Sequence, residues 1–313
     1  MNKVLIADSV SSAVSEVFDK NGIAYDTKIG LSEDELTTEI AEYSGLIVRS
    51  AVTVTEKIIN SASNLKVIGR PGVGVDNVDL KAATNNGIVV MNTPLGNVQA
   101  TAELTFGIMH SLMRKISNAN QSMHQKKWEK KKFIGNEMYG KTLGIIGFGN
   151  IGKKVSQIAK AYGMNVLVYS VSISPEDEKK FNVTNQSIDK ILESADIITF
   201  HNKLSENSKY LINSNAITKM KKKAIIINCA RGGLVNEKDI KEALEKGNIA
   251  GYGCDVYENE PEQDSIFSSM DNVVMTPHIG ASTIEAQEKV AYQIAEQIVE
   301  FLKNNKIINQ VNK

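Results

Sequence analysis

Leu143-Gly144-Ile145-Ile146-Gly147-Phe148-Gly149-Asn150-Ile151-Gly152 decides how this chain reads. Its first four residues are a short apolar run of the kind that forms a strand buried on both faces of a parallel sheet. Glycine then stands at Gly147, Gly149 and Gly152, the three places where a tight turn, a close approach to a pyrophosphate and close helix-to-strand packing each exclude a side chain. Ile151, Val155, Ile158, Ala159 and Tyr162 follow at helical spacing, and Val166-Leu167-Val168-Tyr169 reads as a second strand. Glycines cluster in ordinary turns too, but inside a strand-turn-helix-strand unit the pattern predicts a dinucleotide site, with Asn150 and Ile151 opening the helix whose N-terminus faces the phosphates. The acidic residue that meets the adenosine ribose about 20 residues further on is replaced here by Ser170. NAD is the expected cofactor. A serine does not repel a 2′-phosphate as a carboxylate does, so NADP is not excluded, but no arginine at Val171 or Ser172 welcomes that phosphate, which keeps NAD ahead.

Working outward, 313 residues suit two α/β domains better than a single core. The 36 basic and 36 acidic side chains cancel, so no overall field favours nucleic acid or an anionic membrane, and neither is expected as a partner. Cys229 and Cys254 follow no metal or redox spacing; no metal is expected, and the pair suits a reducing cytoplasm. Before the central unit, strands near Lys3–Ala7, Ala24–Ile29, Gly45–Arg49, Leu65–Gly69 and Ile88–Asn92 alternate with helices, and after it strands are predicted near Asp196–His201, Ala224–Ala230, Ala250–Val256 and Val273–Thr276. That rhythm predicts two doubly wound parallel-sheet domains. Thr93-Pro94-Leu95-Gly96 interrupts it before a long helix capped by Asn97. The final helix carries Ile284, Val290, Ile294, Ile298 and Phe301 on one side and is expected to pack on the first domain. The basic run Lys126 to Lys132 reads mainly as a solvated face, and the lone Trp128 within it suggests a packed contact with another subunit.

In a doubly wound fold, ligands lie beyond the carboxyl ends of the strands, so residues directly after strands are the candidates. Arg231 follows one such strand and precedes Gly232-Gly233; Asp255 and Glu260 follow the next, with Pro261 after the glutamate; His278 follows the last, with Pro277 before it. Each alone is more often structural than catalytic. Together they match one chemistry. Hydride leaves C2 of a hydroxy acid only as the hydroxyl loses a proton, which calls for a base, His278. A carboxylate beside the ring, Glu260, orients it and favours its charged form, and the planar fork of Arg231 grips the substrate carboxylate. Among the remaining histidines, His110 lies in the long helix, His124 beside the basic run, and His201 ends a strand next to the expected cofactor cleft.

The runs Gly45-Leu46-Ile47-Val48-Arg49-Ser50, Gly69 to Leu80, Val90 to Pro94, the glycine fingerprint, Asn228 to Gly233 and Pro277 to Thr283 resemble the D-isomer-specific 2-hydroxyacid dehydrogenases over nearly the whole chain. The resemblance implies a Rossmann cofactor domain, residues 96–283, inserted into a flavodoxin-like substrate domain, residues 1–95 and 284–313, and a homodimer joined through the cofactor domains. It implies Arg231, Glu260 and His278 as the catalytic set. Cofactor contacts are implied at Val73, Gly147, Gly149, Asn150, Ile151, Gly152, Ser170, Asn202, Cys229, Ala230, Arg231, Asp255, His278, Gly280 and Ala281. Substrate contacts are implied at Arg49, Ser50, Arg70, Val73 and Gly74, with Lys130 reaching the partner's site. The implied reaction is NAD-dependent oxidation of D-3-phosphoglycerate to 3-phosphohydroxypyruvate, the first step of serine biosynthesis. Reduction of glyoxylate or hydroxypyruvate is the nearest alternative, and an NAD-sensing corepressor the alternative of another class. With Lys313 as the last residue, serine feedback through a further C-terminal domain is not expected.

Overall fold

The structure, a computed structural model, describes residues 2–313 and separates into two compact units: Met1–Val98 with Ala281–Lys313, and Gln99–Gly280. In the first unit, β1 (Lys3–Ile6), β2 (Ala24–Thr27), β3 (Gly45–Ile47), β4 (Val67–Arg70) and β5 (Val89–Asn92) form a parallel sheet of order β2-β1-β3-β4-β5. Alternate residues point to opposite faces, and both faces are covered. Leu5, Leu46, Ile68 and Val90 belong to one apolar cluster, whereas Val4, Ile6, Ile47 and Val67 meet Ile294 and Ile298 of the last helix, Ile284–Asn304. A side chain at Gly69 would stand 2.7 Å from Ile298 and 2.8 Å from Ile294, so glycine there lets the helix lie close on the sheet. Val290 is buried with them, but Ile284 is 76% exposed, contrary to the expected stripe. It is the first helical residue after the Thr283 cap, where the helix has not yet reached the cover of the sheet.

The second unit holds β6 (Thr142–Ile146), β7 (Asn165–Tyr169), β8 (Ile197–Phe200), β9 (Ala224–Asn228), β10 (Ile249–Cys254) and β11 (Val273–Met275), all parallel, in the order β11-β10-β9-β8-β6-β7. Leu143, Ile145, Ile197 and Ile227 pack on one side, and Ile146, Ile198, Phe200, Ile226 and Tyr252 on the other. Burial on both faces explains the near-continuous apolar runs in the sequence. Both sheets therefore have a switch point, between β1 and β3 in the first and between β6 and β8 in the second, where crossovers leave in opposite directions and open a crevice. Several strands end earlier than their apolar runs suggest: His201, Cys229, Ala230 and Asp255 all lie just beyond the last paired residue. No described helix is long and apolar enough to cross a membrane, and the described residues hold no cluster of His, Cys, Asp and Glu suited to a metal.

Candidate active site

The glycine turn stands at the switch point of the second sheet. Gly147 has φ +98, and a side chain there would meet the backbone of Asn202 at 2.4 Å and of His201 at 2.5 Å. The turn after β6 is thus pressed against the segment leaving β8. A side chain at Gly152 would lie 2.2 Å from the Gly147 carbonyl oxygen, which fixes the helix Asn150–Ala161 against the turn. Gly149 differs: a side chain there would meet nothing within 4 Å. Gly149 caps this helix with no side-chain hydrogen bond, so nothing in its own side chain covers the N-terminus, where N–H groups and the helix dipole attract an anion. Asn150 is exposed and Ile151 half-buried beside it.

Ser170 follows β7, is largely buried, and is braced by Asn185, whose amide oxygen accepts the Ser170 N–H at 3.0 Å while its Nδ2 donates to the Ser170 carbonyl at 3.1 Å. The Ser170 hydroxyl accepts the Ser172 N–H at 3.3 Å. The preceding Tyr169 lines a cavity of about 460 Å³ with Ile188, Leu192 and Leu211 and the polar Asp189, Asn207 and Lys219. Two polar atoms of the β8 exit, Nδ1 of His201 and Oδ1 of Asn202, are sealed from solvent without a hydrogen-bond partner. His201 keeps some exposed surface overall, yet its ring nitrogen is covered, and that desolvation pulls its pKa down to about 3. Its Nε2 contacts the Thr199 hydroxyl at 3.1 Å.

At the far strands, His278 Nδ1 meets Glu260 Oε2 at 2.6 Å. Burial tends to raise the Glu260 carboxyl, but the His278 ring, the Tyr257 N–H at 3.0 Å and the charge of Arg231 outweigh it and hold it below its ordinary value. A carboxylate only accepts, so Nδ1 carries the proton and Nε2 presents its lone pair. His278 itself sits at φ +53, a conformation non-glycine residues seldom adopt. What holds it there is Asp255, buried at 1% exposure: one oxygen accepts the Thr276 hydroxyl and the Ile279 N–H, both at 2.7 Å, and the other the Gly280 N–H at 2.7 Å. Burial raises the Asp255 carboxyl while these three donors and the neighbouring His278 ring pull against it. The Gly280 carbonyl in turn accepts the Thr101 hydroxyl at 3.0 Å. Arg231 donates to the Ala230 carbonyl at 2.6 Å, and Asn228 orders the turn by donating to the Arg231 carbonyl at 2.8 Å and accepting the Ala230 N–H at 3.1 Å. Cys229 is buried, which pushes its thiol up to about 12.

In the first unit, Arg70 is the last residue of β4, and Arg49, Ser50, Val73 and Gly74 lie on loops beyond the carboxyl ends of β3 and β4. A side chain at Gly72 would stand 1.9 Å from the Arg70 guanidinium, so glycine leaves room for that group. Asn92 donates to the Val73 carbonyl at 2.6 Å. Asp8, which the sequence did not single out, accepts the N–H groups of Arg49 and Ala51 at 3.0 Å and of Val52 at 3.3 Å, while Asn77 donates to the Arg49 and Val52 carbonyls. Ala281 opens the returning segment of this unit, and Lys130 lies exposed in a 3-10 turn of the second unit.

Residues 106–280, more than half of the chain, match the family described as D-isomer specific 2-hydroxyacid dehydrogenase, NAD binding domain. The chain belongs to that family. It is 43% identical over 314 residues to D-3-phosphoglycerate dehydrogenase of Bacillus subtilis, covering all of this chain and 59% of that protein. Among solved structures, the TT0316 protein of Thermus thermophilus superposes with TM-score 0.91 at 30% identity, each chain covered to 99%. NAD+-bound 3-phosphoglycerate dehydrogenase of Entamoeba histolytica superposes with TM-score 0.85 at 28% identity over 100% of this chain and 99% of that one. The chain thus spans between half and three fifths of the length of the curated relatives it matches. The site fits the family's nucleotide: a helix whose N-cap is a glycine with open space over it, and two covered polar atoms without partners on the segment facing it.

Proposed function

We propose that the chain catalyses NAD-dependent oxidation of D-3-phosphoglycerate to 3-phosphohydroxypyruvate, the first step of serine biosynthesis, with Arg231, Glu260 and His278 as its catalytic residues. The observation that carries this reading is the 2.6 Å pairing of His278 Nδ1 with a carboxylate held ionised, in a loop whose conformation Asp255 enforces.

When bound, NAD supplies the acceptor for the C2 hydride. The chain does the rest. Arg231 binds the substrate carboxylate with its fork of donors and steadies the oxygen at C2. His278 Nε2 takes the hydroxyl proton as the C2–H bond breaks, so one hydride and one proton leave and the C2 carbonyl forms. Glu260 stabilises the imidazolium so produced. At 48% side-chain exposure, His278 passes that proton to water. Gly147, Gly149, Gly152, Asn150 and Ile151 hold the pyrophosphate, Ser170 with Asn202 the adenosine end, and the apolar wall of Tyr169, Ile188 and Leu192 suits a flat base. A phosphorylated substrate calls for cationic groups, and Arg49 and Arg70 supply them, with Lys130 the counterpart contributed across a homodimer.

Steady-state rates with NAD and NADP against 3-phosphoglycerate, glycerate, lactate and malate test the assignment. The phosphorylated acid with NAD is expected to give the highest kcat/KM; a preference for an unphosphorylated acid would replace it with a reductase of glyoxylate or hydroxypyruvate. His278→Ala is expected to lower kcat by about 10²-fold or more, and near-normal turnover in that variant removes the proposed base.

A further inference from the structure

Outside the catalytic set, two glutamates are joined reciprocally, the backbone N–H of each donating to the carboxylate of the other. The Glu237 N–H donates to Glu258 Oε1 at 3.0 Å, and the Glu258 N–H donates to Glu237 Oε1 at 3.0 Å. Glu237 is the first residue of the helix Glu237–Glu245, so its N–H is one of the donors a helix leaves without a partner, and a carboxylate is favoured there. The other Glu258 oxygen accepts the Tyr210 hydroxyl at 2.9 Å, and Tyr210 is itself tied back through its N–H to the Gly233 carbonyl at 2.8 Å. Three segments meet at this point: the exit from β8, the start of the helix after β9, and the loop after β10.

That loop carries Glu260. Its Tyr257–Glu258 peptide lies directly on Gly232, since a side chain at Gly232 would stand 1.9 Å from the Tyr257 carbonyl carbon and oxygen and 2.5 Å from the Glu258 nitrogen. Gly232 is the neighbour of Arg231, and the Tyr257 N–H of the same peptide run holds Glu260 Oε1 at 3.0 Å. The absence of a side chain at Gly232 allows this close approach but does not by itself fix where the peptide lies. We infer that Glu258 and Glu237 are positioning residues for the reaction: their reciprocal bonds clamp the Tyr257–Glu258 peptide on Gly232 and thereby set the placement of Arg231 relative to Glu260 and His278. Neither needs to touch substrate or cofactor. The partners are two like charges with a third, Glu262, close by, and burial together with Glu258 and Glu262 raises the Glu237 carboxyl. A backbone N–H at Oε1 of each carboxylate, with the Tyr210 hydroxyl at Glu258 Oε2, compensates for that proximity.

This inference rests on the catalytic reading above, and the experiment separates the two. In the full chain, with 3-phosphoglycerate and NAD, turnover per folded molecule is measured for Glu258→Ala, Glu258→Gln, Glu237→Ala and His278→Ala, alongside NAD affinity by calorimetry. Misplacing catalytic groups by a fraction of an ångström lowers kcat by about tenfold in Glu258→Ala, with NAD affinity within about twofold of wild type. Glu258→Gln keeps an oxygen for the Glu237 N–H and recovers most of the rate. Adding Glu258→Ala to Glu260→Gln lowers kcat no further than Glu260→Gln alone, because both act on one element. If Glu258→Ala does not fold, Glu237→Ala, which removes only the acceptor of the Glu258 N–H, is expected to give the same split. Wild-type turnover per folded molecule in these variants, or additivity with Glu260→Gln, overturns the positioning role. Retained turnover in His278→Ala overturns the catalytic reading instead.

Discussion

Two glycines three residues apart in the same turn are expected to fail in different ways when each is given a methyl group. At Gly152 the new carbon would lie 2.2 Å from the Gly147 carbonyl oxygen, 1.2 Å inside the 3.4 Å at which ordinary contact begins. The opposing atom is backbone, pinned in turn against the Asn202 and His201 backbone through Gly147, so the displacement spreads into β6 and β8 rather than into a flexible side chain. Overpacking of this kind costs about 2–4 kcal/mol. For a unit of the size of residues 99–280 that corresponds to roughly 5–15 °C in Tm. At Gly149 the backbone has φ −77 and ψ −162, which alanine adopts freely, and the methyl meets nothing within 4 Å. Gly149→Ala should therefore keep its Tm within about 1–2 °C. The open space over Gly149 is where the pyrophosphate is proposed to approach, and a methyl there holds its oxygens off the helix N-terminus. Losing one charge-assisted hydrogen bond at about 1.5–3 kcal/mol raises the NAD Kd by roughly 10- to 100-fold. Differential scanning calorimetry and isothermal titration with NAD read the two quantities separately. Unchanged NAD affinity in Gly149→Ala would place the pyrophosphate elsewhere, and an unchanged Tm in Gly152→Ala would refute the packing of the turn.

Arg49→Ala is expected to raise KM for 3-phosphoglycerate at least tenfold while leaving kcat/KM for glycerate nearly unchanged, and equal losses on both acids would argue for an unphosphorylated substrate. Ser170→Asp restores a carboxylate facing the ribose and should raise the NAD-over-NADP preference at least tenfold, read from the ratio of kcat/KM values. His201 gives a pH signature: with a folded pKa near 3 against about 6.5 unfolded, the unfolded chain takes up the proton first, so stability is lost as pH falls below about 6.5. Between pH 7.5 and pH 5 the loss is about 2 kcal/mol, and His201→Gln should flatten that part of the urea-unfolding profile; parallel wild-type and variant profiles would show that the ring is not desolvated.

Much of this architecture is legible in the sequence because strands buried on both faces leave uninterrupted apolar runs such as Ala224 to Asn228, and the glycine turn has few other uses between a strand and a helix. The ends of the strands were less legible. Cys229 and Ala230 are apolar for reasons of packing and extend the run past the last paired residue. The supporting residues were not legible at all. Asp8 holds the loop of Arg49 through backbone N–H groups more than 40 residues away in sequence, and a bond to a peptide group leaves no mark on the residue type at its other end. Glu258 is likewise invisible in the sequence, because its partner is the N–H of Glu237. His278 was legible as a base, whereas its left-handed backbone and the three donors that fix Asp255 beneath it emerge only from the fold.

The two switch-point crevices deal with anions in opposite ways. In the second unit the N-cap of the helix beyond the glycine turn is Gly149, which has no side chain to occupy the space where a phosphate would meet the N–H groups and the dipole. In the first unit the N–H groups of Arg49, Ala51 and Val52 also converge, but onto the buried carboxylate of Asp8. That concavity is already filled with negative charge, so an anion recognised on this loop has to be held by side-chain cations instead of backbone. Arg49 and Arg70 are the cations present, and Gly72 makes the room in which the second of them lies. In the proposed reading, backbone recognition serves a group common to many ligands, the dinucleotide pyrophosphate. Guanidinium recognition is changed by single substitutions, and it is therefore in the loops of β3 and β4, not in the glycine turn, that the choice among 2-hydroxy acids should be altered by mutation.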